Sequence, residues 1–203
     1  KLLSGKYRRY FIRAFFTGAV AGVFIWIPLS FTSFYMTKIL LIPLHTAVKI
    51  TVLAVILHSL FTCIFGWLSD RVGWKKMMLA GCITQMTLLY PAFTLLYDQQ
   101  FVMFQILTVI PAAMAYSVVH PLSSFQVPAL LRGRLSGFSF SAGMCIFAGL
   151  TPVITGTLTQ LMNGSLLGVA AYLLSISVVG GLVIYRLFQE KTTLEKIEYR
   201  MVA

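Results

Sequence analysis

Six apolar runs divide the chain, and each is long enough to cross the hydrocarbon layer of a bilayer as a helix, which takes about 20 residues. They lie near Tyr10–Met36, Thr46–Leu68, Met77–Tyr97, Phe101–Val119 with an extension to Leu131, Leu135–Met162 and Ser165–Phe188. Apolar and polar residues do not alternate at a spacing of two, the pattern of a membrane β-barrel strand. The pattern therefore predicts an all-α integral membrane fold of six transmembrane helices. Residues 1–9 form a basic lead-in, residues 10–188 the bundle (10–36, 46–68, 77–97, 101–131, 135–162 and 165–188), and residues 189–203 a tail. Leu194, Ile197 and Met201 in the tail have the spacing of a short amphipathic helix.

Composition strengthens the assignment. Of 203 residues 59% are hydrophobic and only 10% charged, and the mean hydropathy is +0.88, outside the range of soluble domains. A net charge of +11 raises the question of nucleic acid. The basic residues, however, sit between apolar runs and not along one amphipathic face, so no nucleic-acid partner is implied. They report topology instead. Of the 16 Lys and Arg residues, fourteen fall on one side of the six runs and only Lys38 and Lys49 on the other. By the positive-inside rule the first side is cytoplasmic, with both termini inside. The chain starts at Lys1 and shows no cleavage site, so no signal peptide is expected, and a start without Met hints at a piece of a longer product.

Chemistry is sparse. Cys63, Cys82 and Cys145 lie inside apolar runs without ligand spacing, which predicts neither disulfide nor metal site. No phosphate loop, metalloprotease motif or nucleophile elbow occurs, so the chain is not expected to be an enzyme or to hold a cofactor. Attention passes to polar and aromatic groups at membrane depth. These are Trp26 in the first run, His58 in the second, and Gln105 and Tyr116 in the fourth. His58 stands out because an ionisable residue there is costly and imidazole titrates near neutral pH. It is a candidate to carry a proton or meet a substrate carboxylate, or else a neutral imidazole bonded locally. No Asp or Glu lies inside any run to pair with it. Trp26, Phe31 and Tyr35 could form an aromatic wall for a quaternary ammonium, or simply pack. Pro28, Pro111, Pro121 and Pro152 interrupt the first, fourth and fifth runs, the candidates for lining a transport path. The pairs Gly18/Gly22, Gly133/Gly137 and Gly164/Gly168 have the spacing of close helix contacts.

One polar interruption, Gly66-Trp67-Leu68-Ser69-Asp70-Arg71-Val72-Gly73-Trp74-Lys75-Lys76, joins the second and third runs as a short basic connection. It resembles the signature loop of the major facilitator superfamily: Gly66, Leu68, Ser69, Asp70, Arg71, Gly73, Lys75 and Lys76 fit, while Trp74 stands where that family usually has a basic residue. The stretch from Arg132 to Pro152 is similar to the eleventh helix of the metabolite:proton symporter family within it. There Arg134, Gly137, Phe147, Gly149 and Pro152 fit, with Ala142 in place of the common Asn and Ala148 in place of a Gly. The end of the first run, Phe31 to Lys38, is similar to that family's seventh helix.

The resemblance implies the carboxy-terminal six-helix half of a twelve-helix secondary transporter of a bacterial inner membrane. Gly66, Asp70, Arg71, Gly73, Lys75 and Lys76 would form a gating loop, with Asp70 and Arg71 helping to latch the inner gate. Trp26, His58, Gln105 and Tyr116 remain the substrate or proton candidates. The implied activity is proton-coupled symport of a small metabolite such as proline, betaine or an organic acid. The implied partners are the bilayer, the substrate, protons, and either an amino-terminal half or a second copy. The alternatives are a facilitator for a sugar or dicarboxylate, and a non-transporting remnant or structural membrane protein.

Overall fold

The computed structural model describes residues 5–125, 127 and 132–189. The proposed continuation of the fourth run toward Leu131 and the amphipathic reading of the tail lie outside the described residues. The described residues are helical almost throughout, and six helices are long and apolar enough to cross a membrane: α1 (Tyr10–Ile39), α2 (Leu44–Val72), α3 (Trp74–Tyr97), α4 (Phe101–Ser124), α5 (Arg132–Leu161) and α6 (Leu167–Arg186). The helical backbone of α1 already begins at Gly5, within the basic lead-in. At 30 residues each, α1 and α5 reach about 45 Å at 1.5 Å per residue, longer than the apolar layer requires.

Helices α1 and α4 form the centre. In their most apolar stretches 67% and 56% of residues are buried, against 11% in α2 and 17% in α5. Two clusters make the core. One joins Ile27, Phe31 and Tyr35 of α1 to Phe93 and Leu96 of α3, Phe104 of α4 and Leu173 of α6. The other, nearer the basic end, joins Val20 and Phe24 of α1 to Met78 and Cys82 of α3, Ala115 and Val118 of α4 and Ile184 of α6. Helices α3 and α6 therefore back the central pair, and α2 and α5 flank it.

The α1–α5 crossing depends on missing side chains. A Cβ on Gly18 would stand 2.5 Å from the Phe140 carbonyl oxygen, and one on Gly22 2.9 Å from the Ala148 Cβ. From the other side, a Cβ on Gly143 would overlap the Phe15 carbonyl. This is the close approach that small residues permit between membrane helices. The pair Gly18/Gly22 serves it as its spacing predicts, whereas Gly133 and Gly137 meet nothing within 4 Å. The third pair divides its roles: Gly164 turns the chain at φ +85°, and Gly168 lies against Met162 and Leu158.

Hydroxyl groups inside the bundle are satisfied by nearby protein groups, as the absence of water demands. Thr151, Thr155 and Thr159 form a buried stripe on α5. Their hydroxyls donate to the carbonyls of Phe147, Thr151 and Thr155 at 2.6–2.7 Å. The Thr151 and Tyr172 hydroxyls, 3.0 Å apart, tie α5 to α6, and the Leu166 N–H donates to the Tyr97 hydroxyl at 2.7 Å, tying α6 to α3. Both long helices contain π-helical stretches: Ile27–Phe31 and Tyr35–Ile39 in α1, Arg132–Ser136 and Met144–Ala148 in α5. Pro28, which has no N–H to offer the preceding turn, lies in the first of these.

Candidate functional site

The connection between α2 and α3 is shorter than the sequence pattern predicts. Helix α2 continues through Asp70 and Arg71 to Val72, and α3 begins at Trp74, so the turn is Gly73 alone. Its φ of +99° and ψ of 136° suit glycine, which has no Cβ to clash. The Gly73 N–H donates to the Ser69 carbonyl at 2.8 Å, and the Met77 N–H to the Gly73 carbonyl at 3.1 Å. The two helices thus share one residue as cap and turn.

Three charged residues of this corner, Asp70, Arg71 and Lys75, find ring partners. The Trp74 indole N–H donates to Asp70 Oδ1 in a long bond of 3.4 Å. The non-basic residue at this position therefore still engages the carboxylate. The Arg71 guanidinium lies 3.8 Å from the centre of the exposed Trp67 ring, and the Lys75 ammonium 5.6 Å from the Tyr185 ring of α6; both are cation–π distances. Lys76 is exposed, and a Cβ on Gly66 would meet nothing within 4 Å.

Of the four candidates at membrane depth, the structure brings two together. His58, midway along α2 and 7% exposed, meets Tyr116 of α4 edge to face with ring centres 5.5 Å apart. Tyr116 meets His120, one turn further along α4, at 5.9 Å, and His120 meets Phe140 of α5 at 5.3 Å. Four rings from three helices therefore form one ladder. His58 Nε2 is buried with no hydrogen-bond partner among the described residues. His120 belongs to this group although it is not among the candidates at membrane depth. Its spacing of four from Tyr116, which places both on one face of a helix, is the signal that joins them. Phe140 has no such signal.

Gln105 and Trp26 belong elsewhere. Gln105 is fully buried, and its Nε2 donates to the Pro28 carbonyl at 2.9 Å, so it bridges α4 to the π-helical stretch of α1. Its Oε1 and the Trp26 Nε1 are buried without a hydrogen-bond partner among the described residues. Trp26 packs against the core cluster that holds Phe31 and Tyr35. Phe31 and Tyr35 are buried and stacked on each other, with ring centres 5.9 Å apart. They are core, the packing alternative of the two that the sequence leaves open. A separate groove of about 230 Å³ runs between α1 and α2, lined by Ser33, Val48, Thr51, Val52, Val55 and Ile56, apart from all four candidates.

No protein-family model matches the chain, and no solved structure matches it. Among curated proteins, a "Putative proline/betaine transporter" of Staphylococcus aureus (strain COL) is 29% identical over 192 residues, covering 87% of this chain and 39% of the relative. The protein of the same name from strain MSSA476 is 32% identical over 145 residues, 68% of this chain and 30% of the relative. The "Citrate-proton symporter" of Klebsiella pneumoniae is 24% identical over 157 residues, 70% of this chain and 34% of the relative. The chain thus spans less than two fifths of the length of these relatives. They are named as transporters, and a multi-pass membrane bundle is the architecture such proteins need.

Proposed function

We propose that this chain is one six-helix half, the carboxy-terminal one, of a secondary transporter of the major facilitator type. The intact protein takes up a small zwitterionic or carboxylate metabolite, proline or betaine first, together with protons. The observation that carries the reading is the match of 87% of the chain to 39% of a longer transporter, which leaves the relative ample length for a second bundle. The fold supports it: α2 and α5 flank the central pair while exposing Val52, Ile56 and Leu60 on one and Ile146, Leu150 and Val153 on the other. These faces suit lipid or a second six-helix half, against which this half rocks to give alternating access.

On this reading the basic end is cytoplasmic, and the α2–α3 corner belongs to the inner gate. Asp70, held by Trp74, exchanges that long bond for a contact with the other half when the gate closes. A second substrate class, organic acids, is favoured by the citrate-proton symporter among the relatives. Against dicarboxylates stands the lack of any Lys or Arg at mid-depth in the described spans.

The test is uptake of radiolabelled proline, betaine and citrate into proteoliposomes under an imposed proton gradient. This chain alone is compared with the product of a reading frame extended upstream. Gradient-dependent uptake by the longer product alone is the expected result. A longer product that inserts and folds but moves none of the three would sink the proposal and return the chain to the class of structural membrane proteins.

A further inference from the structure

The ladder His58–Tyr116–His120–Phe140 runs from a closed interior to an open surface. His58 is buried, Tyr116 half-buried and His120 exposed. A buried polar nitrogen without a hydrogen-bond partner is uncommon in a folded protein and calls for a reason. Packing alone does not supply one, since an apolar side chain at position 58 would fill the space without burying an unpaired nitrogen.

Acids are absent where a transported proton would otherwise sit. The sequence has five, Asp70, Asp98, Glu190, Glu195 and Glu198. Asp70 lies in the last turn of α2, Asp98 just beyond α3, and the glutamates beyond α6. Besides the three rings themselves, the uncharged titratable groups on the elements around the ladder are Cys63, Cys82 and Cys145, the phenols Tyr10, Tyr35, Tyr90 and Tyr97, and His45 at the start of α2. Of the charged ones, Arg13, Asp70, Arg71, Lys75, Lys76, Arg132 and Arg134 lie toward the basic end, and Lys38 and Lys49 toward the opposite end. Thiols and phenols ordinarily ionise well above neutral pH, whereas imidazole does so near it.

We propose that His58 and His120, joined through Tyr116, are the proton-holding site of this half. A proton from water adds to a ring-nitrogen lone pair of exposed His120. The rings meet face and edge without a hydrogen bond between them, so transfer requires the Tyr116 hydroxyl to swing into reach of both. It accepts the His120 proton as it gives its own to a His58 ring nitrogen, which holds it while the site is closed. When the site opens to the other side, the proton held by His58 returns to water. One proton enters and one leaves, and nothing is oxidised or reduced. An imidazolium at this depth is costly alone, and a substrate carboxylate brought between the two halves offsets that cost. Proton and carboxylate then favour each other's binding, and by linkage equally so. This rests on the transport reading above and adds where the proton resides.

Two measurements separate the proposals. In the upstream-extended product, His58→Gln should lower the gradient-driven accumulation ratio of the transported solute by more than about tenfold, the lower range of a measurable coupling, and should flatten its pH profile. His120→Gln should displace that profile. Accumulation and pH profile both unchanged in His58→Gln would overturn the ladder while leaving transport standing. Nitrogen-15 histidine NMR of the upstream-extended product in lipid nanodiscs does not depend on transport. His58 should change protonation with pH, respond to added proline, betaine or citrate, and shift when His120→Gln or Tyr116→Phe is introduced. A His58 signal that titrates independently of both neighbours, or not at all with any of the three solutes, would overturn the ladder even if no uptake is seen.

Discussion

At the scale of the residue, burial decides which polar groups are free to do chemistry. Gln105 and His58 look alike in the sequence, each a polar residue in an apolar run. The structure commits the Gln105 amide to the Pro28 carbonyl at 2.9 Å and leaves the His58 nitrogen without a partner. The Gln105 bond is interhelical, and such bonds in membrane proteins contribute about 0.6 to 2 kcal/mol. Gln105→Leu should therefore lower unfolding stability by about 1 kcal/mol, on the scale of those bonds, as measured by denaturant titration in mild detergent. Unchanged stability would mean that the bond only compensates the buried Oε1 beside it. Gly73 makes the same point from the backbone. Its positive φ is legible in the sequence as a glycine between two long runs, but the contraction of the connection to that one residue is not.

At the scale of the element, the α1–α5 crossing is set by which glycines face each other. Gly143 lies against the Phe15 carbonyl, and Gly137 faces open space. Overpacking a tight contact costs about 1–3 kcal/mol, occasionally more. Gly143→Leu should accordingly lower the thermal unfolding midpoint sharply or abolish folding, and Gly137→Leu should leave it nearly unchanged. Equal effects would place the crossing elsewhere along α5. The spacing of Gly18 and Gly22 is readable in the sequence, as is the spacing of four between Tyr116 and His120, because both are properties of a single helix. The partners, Phe15 for Gly143 and Phe140 for His120, belong to other helices, and no local pattern names them.

At the scale of the whole molecule, the bundle is asymmetric: α1 and α4 are enclosed, and α2 and α5 keep broad apolar faces uncovered. The three cysteines report on this arrangement. Cys63 on α2 and Cys145 on α5 are exposed, and Cys82 on α3 is buried. With this chain alone in detergent, a membrane-permeant maleimide should label Cys63 and Cys145 and spare Cys82. In the upstream-extended product a second half packed on α2 and α5 should slow labelling of at least one of the two. Identical rates in both products would place lipid against those faces and deny them to a partner half.

The six helices and the excess of basic charge at one end are legible from the residues alone, because run length and charge are local quantities that the bilayer reads one segment at a time. His58 stands out in the same way, since an ionisable group in an apolar run is visible without knowing its neighbours. Packing, by contrast, is what makes α1 and α4 central, Phe31 and Tyr35 core and Gln105 a bridge, and what gathers His58, Tyr116, His120 and Phe140 into one ladder. The physical reason is that every apolar run satisfies the hydrocarbon layer equally well. Which face of each helix turns inward depends on side-chain fit between helices distant in the chain, and that fit is settled only when they pack.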